Sequence, residues 1–466
     1  MRPSANAHIS AGERACAGAP TSAKRPVLSL IPAAAVTALA ALAVAALILT
    51  PALTALLLLP PDAAAQTDVR LRVTAQGRAA IRIGFLEPEK EIADDMAGYH
   101  EEFLEILKDD LEMSGYFELV EDPGKGEPHA LVGTMTGPRG SELSFDVNLV
   151  DRVSGQSIFR RKYAAETDRI GMAAHVVADD IVYALTGRQG IANTQMAFVA
   201  GKKGEASLYT VHIDGSGLER ITQTPSIVMT PSWSPDATRI AYVSYASGDP
   251  AVYVTDLEDR TTVRFSAFQG MNGMPAWSPD GSRIALTLSK DGNPEVYVIS
   301  VDGKTRKRLT RYSGIDCSPT WAPNGFELAF TSDRTGYPQI YAVDMEGLSP
   351  RRITYEGSYN TSPAWSPEGD LIAYVSRIDG RFQICTVDPF GITTSILTEE
   401  GDNEYPNWSP DGMHIIYSSQ AGSKSGIYIM NRDGSGKRRI YKDLVNPRSP
   451  AWSAQPRQAK VEPLED

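Results

Sequence analysis

The chain has 466 residues, with 45 Lys and Arg against 57 Asp and Glu and a net charge of -12. That length accommodates two or three domains around a large core, and the acidic balance argues against a nucleic-acid binder, which needs clustered basic side chains to neutralise phosphates. Of the cysteines, Cys16 lies in the leader, while Cys317 and Cys385 occupy different places in the repeat described below. Two free thiols are expected, and cysteine usage neither demands nor excludes an oxidising compartment.

In chain order, Lys24 and Arg25 precede an uncharged Ala- and Leu-rich stretch from Val27 to Pro61, which leads to Ala63-Ala64-Ala65. A basic flank, an apolar run and a small-residue exit describe an export signal over residues 1–65, cleaved after Ala65. The rival reading is a retained membrane helix, against which Pro32 and Pro51 would interrupt the span. Residues 66–78 alternate apolar and charged side chains over Val69-Arg70-Leu71-Arg72-Val73. Alternation suits a half-buried strand, either the first strand of the next domain or a flexible segment that adds to a partner's sheet edge.

Residues 79–190 read as a mixed α/β domain. Ile81 to Leu86 is a strand, and Ile92, Met96, Tyr99, Phe103, Ile106, Leu107 and Leu111 form one apolar helical face over 91–113. Strands are expected at 116–120, 130–136, 142–151 and 157–165, with Gly137-Pro138-Arg139-Gly140 and Ser154-Gly155 as turns. A second helix runs from Asp168, as N-cap, to Leu185, and Gly187 stops it. His175 on that helix has no ligand partner at metal spacing and reads as structural.

Residues 191–456 are dominated by Pro-x-Trp-Ser-Pro-Asp-Gly units, followed by a tail over 457–466. All six tryptophans fall in them, Trp233, Trp277, Trp321, Trp365, Trp408 and Trp452, at steps of 44, 44, 44, 43 and 44. A period in the low forties with several short strands per unit marks a β-propeller. In the second unit the strands are 274–277, 283–289, 295–300 and 306–310, with Ser278-Pro279-Asp280-Gly281 as the first turn: proline presets φ and glycine supplies the positive φ that closes it. One unit departs, with Ala237 in the glycine's place, so its turn avoids positive φ or accepts strain.

Only fourteen residues follow Trp452. The missing strands of that unit stand upstream at 196–200, 207–212 and 219–222, so strand 449–453 is expected to complete a blade begun near residue 196. Six blades follow, and closing the ring removes two exposed sheet edges. The tryptophans read as inter-blade packing groups. The loops entering the inner strands converge on one mouth of the central channel, and their candidate contact residues are Met229, Thr230, Met271, Asn272, Met274, Asp316, Ser318, Asn360, Glu404 and Arg448. Methionines mixed with polar groups around a concavity suit protein recognition.

Catalytic patterns are missing from the sequence. Gly-x-Ser-x-Gly is absent, the Gly-Ser-Gly steps at 215–217 and 434–436 sit in strand turns, and the histidines at 100, 129, 175, 212 and 414 are scattered. No enzyme activity, cofactor or metal is expected.

An export signal, a mixed α/β domain and a six-bladed propeller of Pro-Ala-Trp-Ser-Pro-Asp-Gly units closed by a C-terminal strand resemble the TolB family, over residues 66 to about 455. The resemblance implies a monomeric, non-catalytic periplasmic scaffold of the Tol-Pal system, serving outer-membrane integrity and constriction in cell division. It implies binding of the peptidoglycan-associated lipoprotein Pal at the propeller mouth, and of the inner-membrane protein TolA through Asp68, Val69, Arg70, Leu71, Arg72 and Val73. Asn272, Gly273 and Pro275 stand as in family members, whereas those members have His where Met271 lies and Glu where Ser318 lies; Asp316 is the candidate replacement acid. The alternative is a propeller that binds a small ligand or accompanies a hydrolase.

Overall fold

The computed structural model describes residues 80–86, 97–120, 129–139, 142–202, 204–223, 226–422, 424–441 and 443–454, all within one compact unit. The leader, the 66–78 segment and the tail lie outside the described residues.

The first layer is a five-stranded sheet. Ile81–Leu86 (β1) pairs in parallel with Phe117–Val120 (β2) and with His129–Arg139 (β3). Glu142–Asp151 (β4) and Ser157–Glu166 (β5) follow antiparallel, giving the order β2-β1-β3-β4-β5. A parallel neighbour requires a crossover, and helix α1, Ala97–Met113, lies between β1 and β2 in the chain. β4 alternates as its sequence does, turning Leu143, Phe145, Val147 and Leu149 inward against Phe103, Leu107 and Leu111 of α1. Phe103 stacks on Phe145 at 4.5 Å, and each such side chain stabilises the layer by roughly 1.5–3 kcal/mol.

The second helix, α2, starts later than its sequence suggests. Thr167–Arg169 is a single 3-10 turn, the α-helix spans Ile170–Thr186, and Asp168 caps nothing because the chain turns tightly out of β5 before the helix begins. Its end is as expected: Gly187 adopts φ 69° and donates to the Tyr183 carbonyl, the left-handed stop that glycine accepts without a Cβ clash. His175 on α2 is buried, but it has carboxylate partners that spacing could not reveal, Asp110 on α1 and Asp214 in the ring. Layer and ring also share packing: Met413 belongs to the layer's core, and Arg188 pairs with Glu368 at 3.1 Å.

The ring has six four-stranded blades. Blade one takes its innermost strand from the end of the chain, with Arg448–Trp452 antiparallel to Gln195–Lys202, followed by Glu205–His212 and Glu219–Arg220. Blades two to six are continuous over 228–266, 272–308, 316–352, 360–396 and 402–441. Inner strands begin earlier than the sequence suggests, as with Asn272–Trp277, and outer strands are shorter, as with Arg306–Arg308.

Blade contacts are made by the repeat itself. The indoles of Trp233, Trp321 and Trp408 donate to the carbonyls of Ala451, Ala276 and Ala364 one blade back, at 3.0, 3.0 and 2.9 Å. Trp365 instead donates to Gly369 within its own turn, and the Trp277 indole has no hydrogen-bond partner among the described residues. On the rim, outer strands place Arg220, Arg264, Arg308, Arg352 and Arg439 opposite a tyrosine of the third strand. Charge on an exposed edge opposes pairing with another chain; blade five alone puts Ile396 opposite Cys385. Both described cysteines are free.

Ala237 takes φ 57°, where the other Pro-Asp-Gly-type turns use Gly281, Gly325, Gly369 and Gly412 at φ 69° to 79°. The turn therefore accepts the strain. Ala237→Gly is expected to raise unfolding stability by ~0.5–1 kcal/mol in urea denaturation; a loss of stability would show that the alanine methyl packs more than it strains.

Candidate functional site

Each inner strand carries the same irregularity. The residue two places before each Pro-x-Trp tryptophan is proline, and the one before that proline is left-handed: Thr230, Met274, Ser318, Ser362, Tyr405 and Ser449 have φ between 46° and 57°. Positive φ is costly for a side chain with a Cβ, and the register shifts at each of these points. A bulge bends its strand and re-aims side chains. Six of them in a closed ring turn these residues and the prolines behind them onto the central channel.

The result is a cavity of ≈ 270 Å³ at one mouth. Its wall includes Met229, Thr230, Met271, Asn272, Met274 and Ser318, and also Tyr245, Ser362, Tyr405, Asn407, Ser449 and the six prolines, with no charged side chain among them. A second cavity of ≈ 380 Å³ is lined by five of the six tryptophans, Trp233, Trp277, Trp321, Trp365 and Trp452. Met229 is 37 % exposed. Met274 Sδ lies 3.2 Å from Ser318 Oγ, and Thr230 Oγ1 is buried with no hydrogen-bond partner among the described residues. The mouth thus offers adaptable thioethers, small hydroxyls and aromatic faces rather than charge.

Three sequence candidates serve the ring instead. Asn272, Asp316 and Asn360 occupy one repeat position and are at most 1 % exposed. The Asn272 amide accepts from Ser266 and Phe268 and donates to the Phe268 and Gly270 carbonyls, which exhausts its hydrogen-bonding capacity. Asn360 donates to Gln339 Oε1 at 2.9 Å, and Thr354 donates to the same oxygen at 2.7 Å. Asn403 repeats this clasp with Gln383 and Thr398.

Asp316 cannot stand in for an exposed acid. Both its oxygens accept from Arg334 Nη2, at 3.1 and 2.8 Å, and it is fully buried. Burial raises its carboxyl above the usual range, opposed by Ser332 and Arg334. The exposed acid of this rim is Glu404, whose carboxyl is raised by burial of part of the side chain and by Asp402. Glu404 and Arg448 flank the mouth through their strand positions without lining the cavity. Residues 68–73 lie outside the described residues.

Of the six pre-proline wall residues, Thr230, Met274 and Ser318 were sequence candidates, whereas Ser362, Tyr405 and Ser449 escaped the reading. The signal was present as the residue before each proline, but proline disfavours helical backbone in its predecessor without specifying which side of a strand it faces. Burial pushes the Cys317 thiol, beside Ser318, up to about 11, so it is not a reactive nucleophile at neutral pH. Among the described residues, no group of three or more His, Cys, Asp or Glu side chains is arranged to hold a metal, and no helix is long and apolar enough to cross a membrane.

Fold and site define a six-bladed propeller closed by its own C-terminal strand, with an uncharged, methionine-bearing mouth. The family described as the TolB beta propeller domain matches residues 182–456, and the chain belongs to that family. It is similar to the crystal structure of TolB from Acinetobacter baumannii, with a TM-score of 0.71 and 29 % identity, covering 80 % of this chain and 96 % of that one. The Tol-Pal system protein TolB of Geobacter sulfurreducens is 33 % identical over 187 residues, 36 % of this chain and 43 % of the relative. That of Syntrophus aciditrophicus is 36 % identical over 152 residues, 27 % and 33 % of the two chains. These matches span less than half the length of the curated relatives.

Because Arg334 alone neutralises the fully buried Asp316, Arg334→Ala is expected to destabilise the ring by about 3–5 kcal/mol in urea denaturation. A change below ~1 kcal/mol would show that the pair is solvated and that Asp316 is open to a partner.

Proposed function

We propose that the chain is a non-catalytic periplasmic scaffold of the Tol-Pal system whose propeller mouth binds a Pal-like peptidoglycan-associated lipoprotein. The observation that carries this reading is the mouth itself: six strained bulges hold an uncharged concavity with three methionines open, on a ring whose family relatives bear the Tol-Pal name. Backbone strain of this kind persists where surrounding structure over-determines it, commonly at binding sites. The contacts are assigned to Met229, Thr230, Met271, Met274 and Ser318 within the wall, with Glu404 and Arg448 at the rim. Asn272, Asp316 and Asn360 hold the loops in place.

The segment Asp68–Val73 supplies the second interaction, adding as a strand to a TolA-like inner-membrane protein. Bridging the two partners is what would couple outer-membrane integrity and envelope constriction in cell division to this chain. An export signal over residues 1–65 accounts for the periplasmic location.

Calorimetric titration with a purified Pal-like lipoprotein tests the mouth. Met271→Glu and Met274→Glu, which place a carboxylate in an uncharged wall, are expected to weaken binding by about tenfold or more without moving the melting temperature. Wild-type affinity is expected to fall by less than about tenfold between low and high salt, since the wall carries no charge and only the rim charges Glu404 and Arg448 are screened. Undiminished binding by both variants would reject the mouth as the docking site. Deleting 68–73 is expected to abolish capture of a TolA-like protein while leaving Pal-like binding intact; loss of both would assign the segment to the fold.

A further inference from the structure

We propose that His175 and His212 form an acid-released latch between the α/β layer and the ring. His175 Nδ1 lies 2.7 Å from Asp110 Oδ2 on α1, and its Nε2 lies 3.4 Å from Asp214 Oδ2 in a turn of blade one. A neutral imidazole has one N–H and could donate to only one of these carboxylates. Carboxylates on both sides therefore hold the ring as an imidazolium, itself 2 % exposed, and fasten both helices to the first blade.

The second ring is placed against the first. His212, at the end of the strand leading into that turn, lies 6.2 Å from His175 with the planes 21° apart. Its Nδ1 is buried with no hydrogen-bond partner among the described residues. The turn closes over it: a Cβ at Gly217 would sit 2.7 Å from His212 Cδ2, and His212 N–H donates to the Ser216 carbonyl at 2.9 Å. A proton on His212 charges a half-buried ring whose Nδ1 is closed off under the turn, and relief comes by swinging the turn open so that the imidazolium reaches water while keeping its carboxylate, Asp214.

The directions agree. Burial holds His212 below its ordinary range; Asp214 opposes it, and the charge of His175 adds a smaller lowering effect. A depressed histidine stabilises the closed form above about pH 6.5 and loses that contribution as pH falls below it. His175, pushed up to about 10 despite its burial by Asp110 and Asp214, stays charged throughout that window, and Asp214 stays ionised, its carboxyl held low by His175 and Ser216 against burial. The remaining charges are Asp110 and Asp179, both raised by burial, Asp179 to about 7, together with Asp109 on α1 and Arg438 from the edge of blade six. Protonation of Asp179 stabilises the folded layer as pH falls but removes a negative charge from the cluster, so global melting and the latch respond in opposite directions.

Hydrogen exchange of the full chain, read by mass spectrometry at about pH 7.5 and about pH 5 and corrected for intrinsic rates, separates them. Amides of residues 212–217 are expected to lose about ten- to a hundredfold protection at the lower pH in the wild type. His212→Gln is expected to keep protection at both, and His175→Gln to lose it at both. Equal wild-type protection at the two pH values, or acid loss that persists in His212→Gln, would overturn the proposal, and the His212→Gln comparison decides it even if His175→Gln fails to fold.

Discussion

The structure depends on an antiparallel pairing between the two ends of the ring. Arg448 stands opposite Val199, Ala451 opposite Ala197 and Trp452 opposite Met196. Without it, blade one would have three strands and the ring two open edges. With it, Trp452 donates to the Thr194 hydroxyl at 2.8 Å and Trp233 donates to the Ala451 carbonyl, so the closing strand is held on both sides by indole hydrogen bonds, the second of them the contact that Trp321 and Trp408 repeat. Closure also makes the mouth possible, because six inner strands can face one axis only if the sixth blade meets the first.

Closure concentrates strain on that axis. Left-handed backbone before proline is unfavourable at each of six positions, and the ring offsets it with hydrogen-bonded clasps such as Gln339–Thr354–Asn360 directly behind the bulges. The division of labour follows from burial. Side chains one step from the mouth spend their hydrogen bonds on the scaffold, and the methionines and small hydroxyls in front line the cavity. A wall with no charge selects by shape and apolar contact, consistent with recognition of a folded protein rather than an ion or a nucleotide.

Much of the fold was legible because the repeat supplies its own alignment. The tryptophan spacing and the Pro-Asp-Gly turns define four strands per blade, and the surplus strand after residue 448 together with the three before residue 222 requires the shared blade. The candidate site was legible only in position. Asn272, Asp316 and Asn360 look like rim residues because they fall in loops that enter inner strands, yet their side chains turn back to partners 4 to 21 residues away. His175 reads as an isolated histidine because Asp110, 65 residues away, becomes its neighbour only when α1 packs on α2. Local pattern reports which backbone a residue adopts; which neighbour claims its side chain depends on tertiary packing.

The most direct test of the mouth is oxidative footprinting of methionine with and without a saturating Pal-like lipoprotein, read residue by residue by mass spectrometry. The account predicts that Met229, Met271 and Met274 become protected together, while Met345, which packs in another blade's core, oxidises at an unchanged rate. Oxidation of the three mouth methionines at the same rate with the partner bound would contradict it.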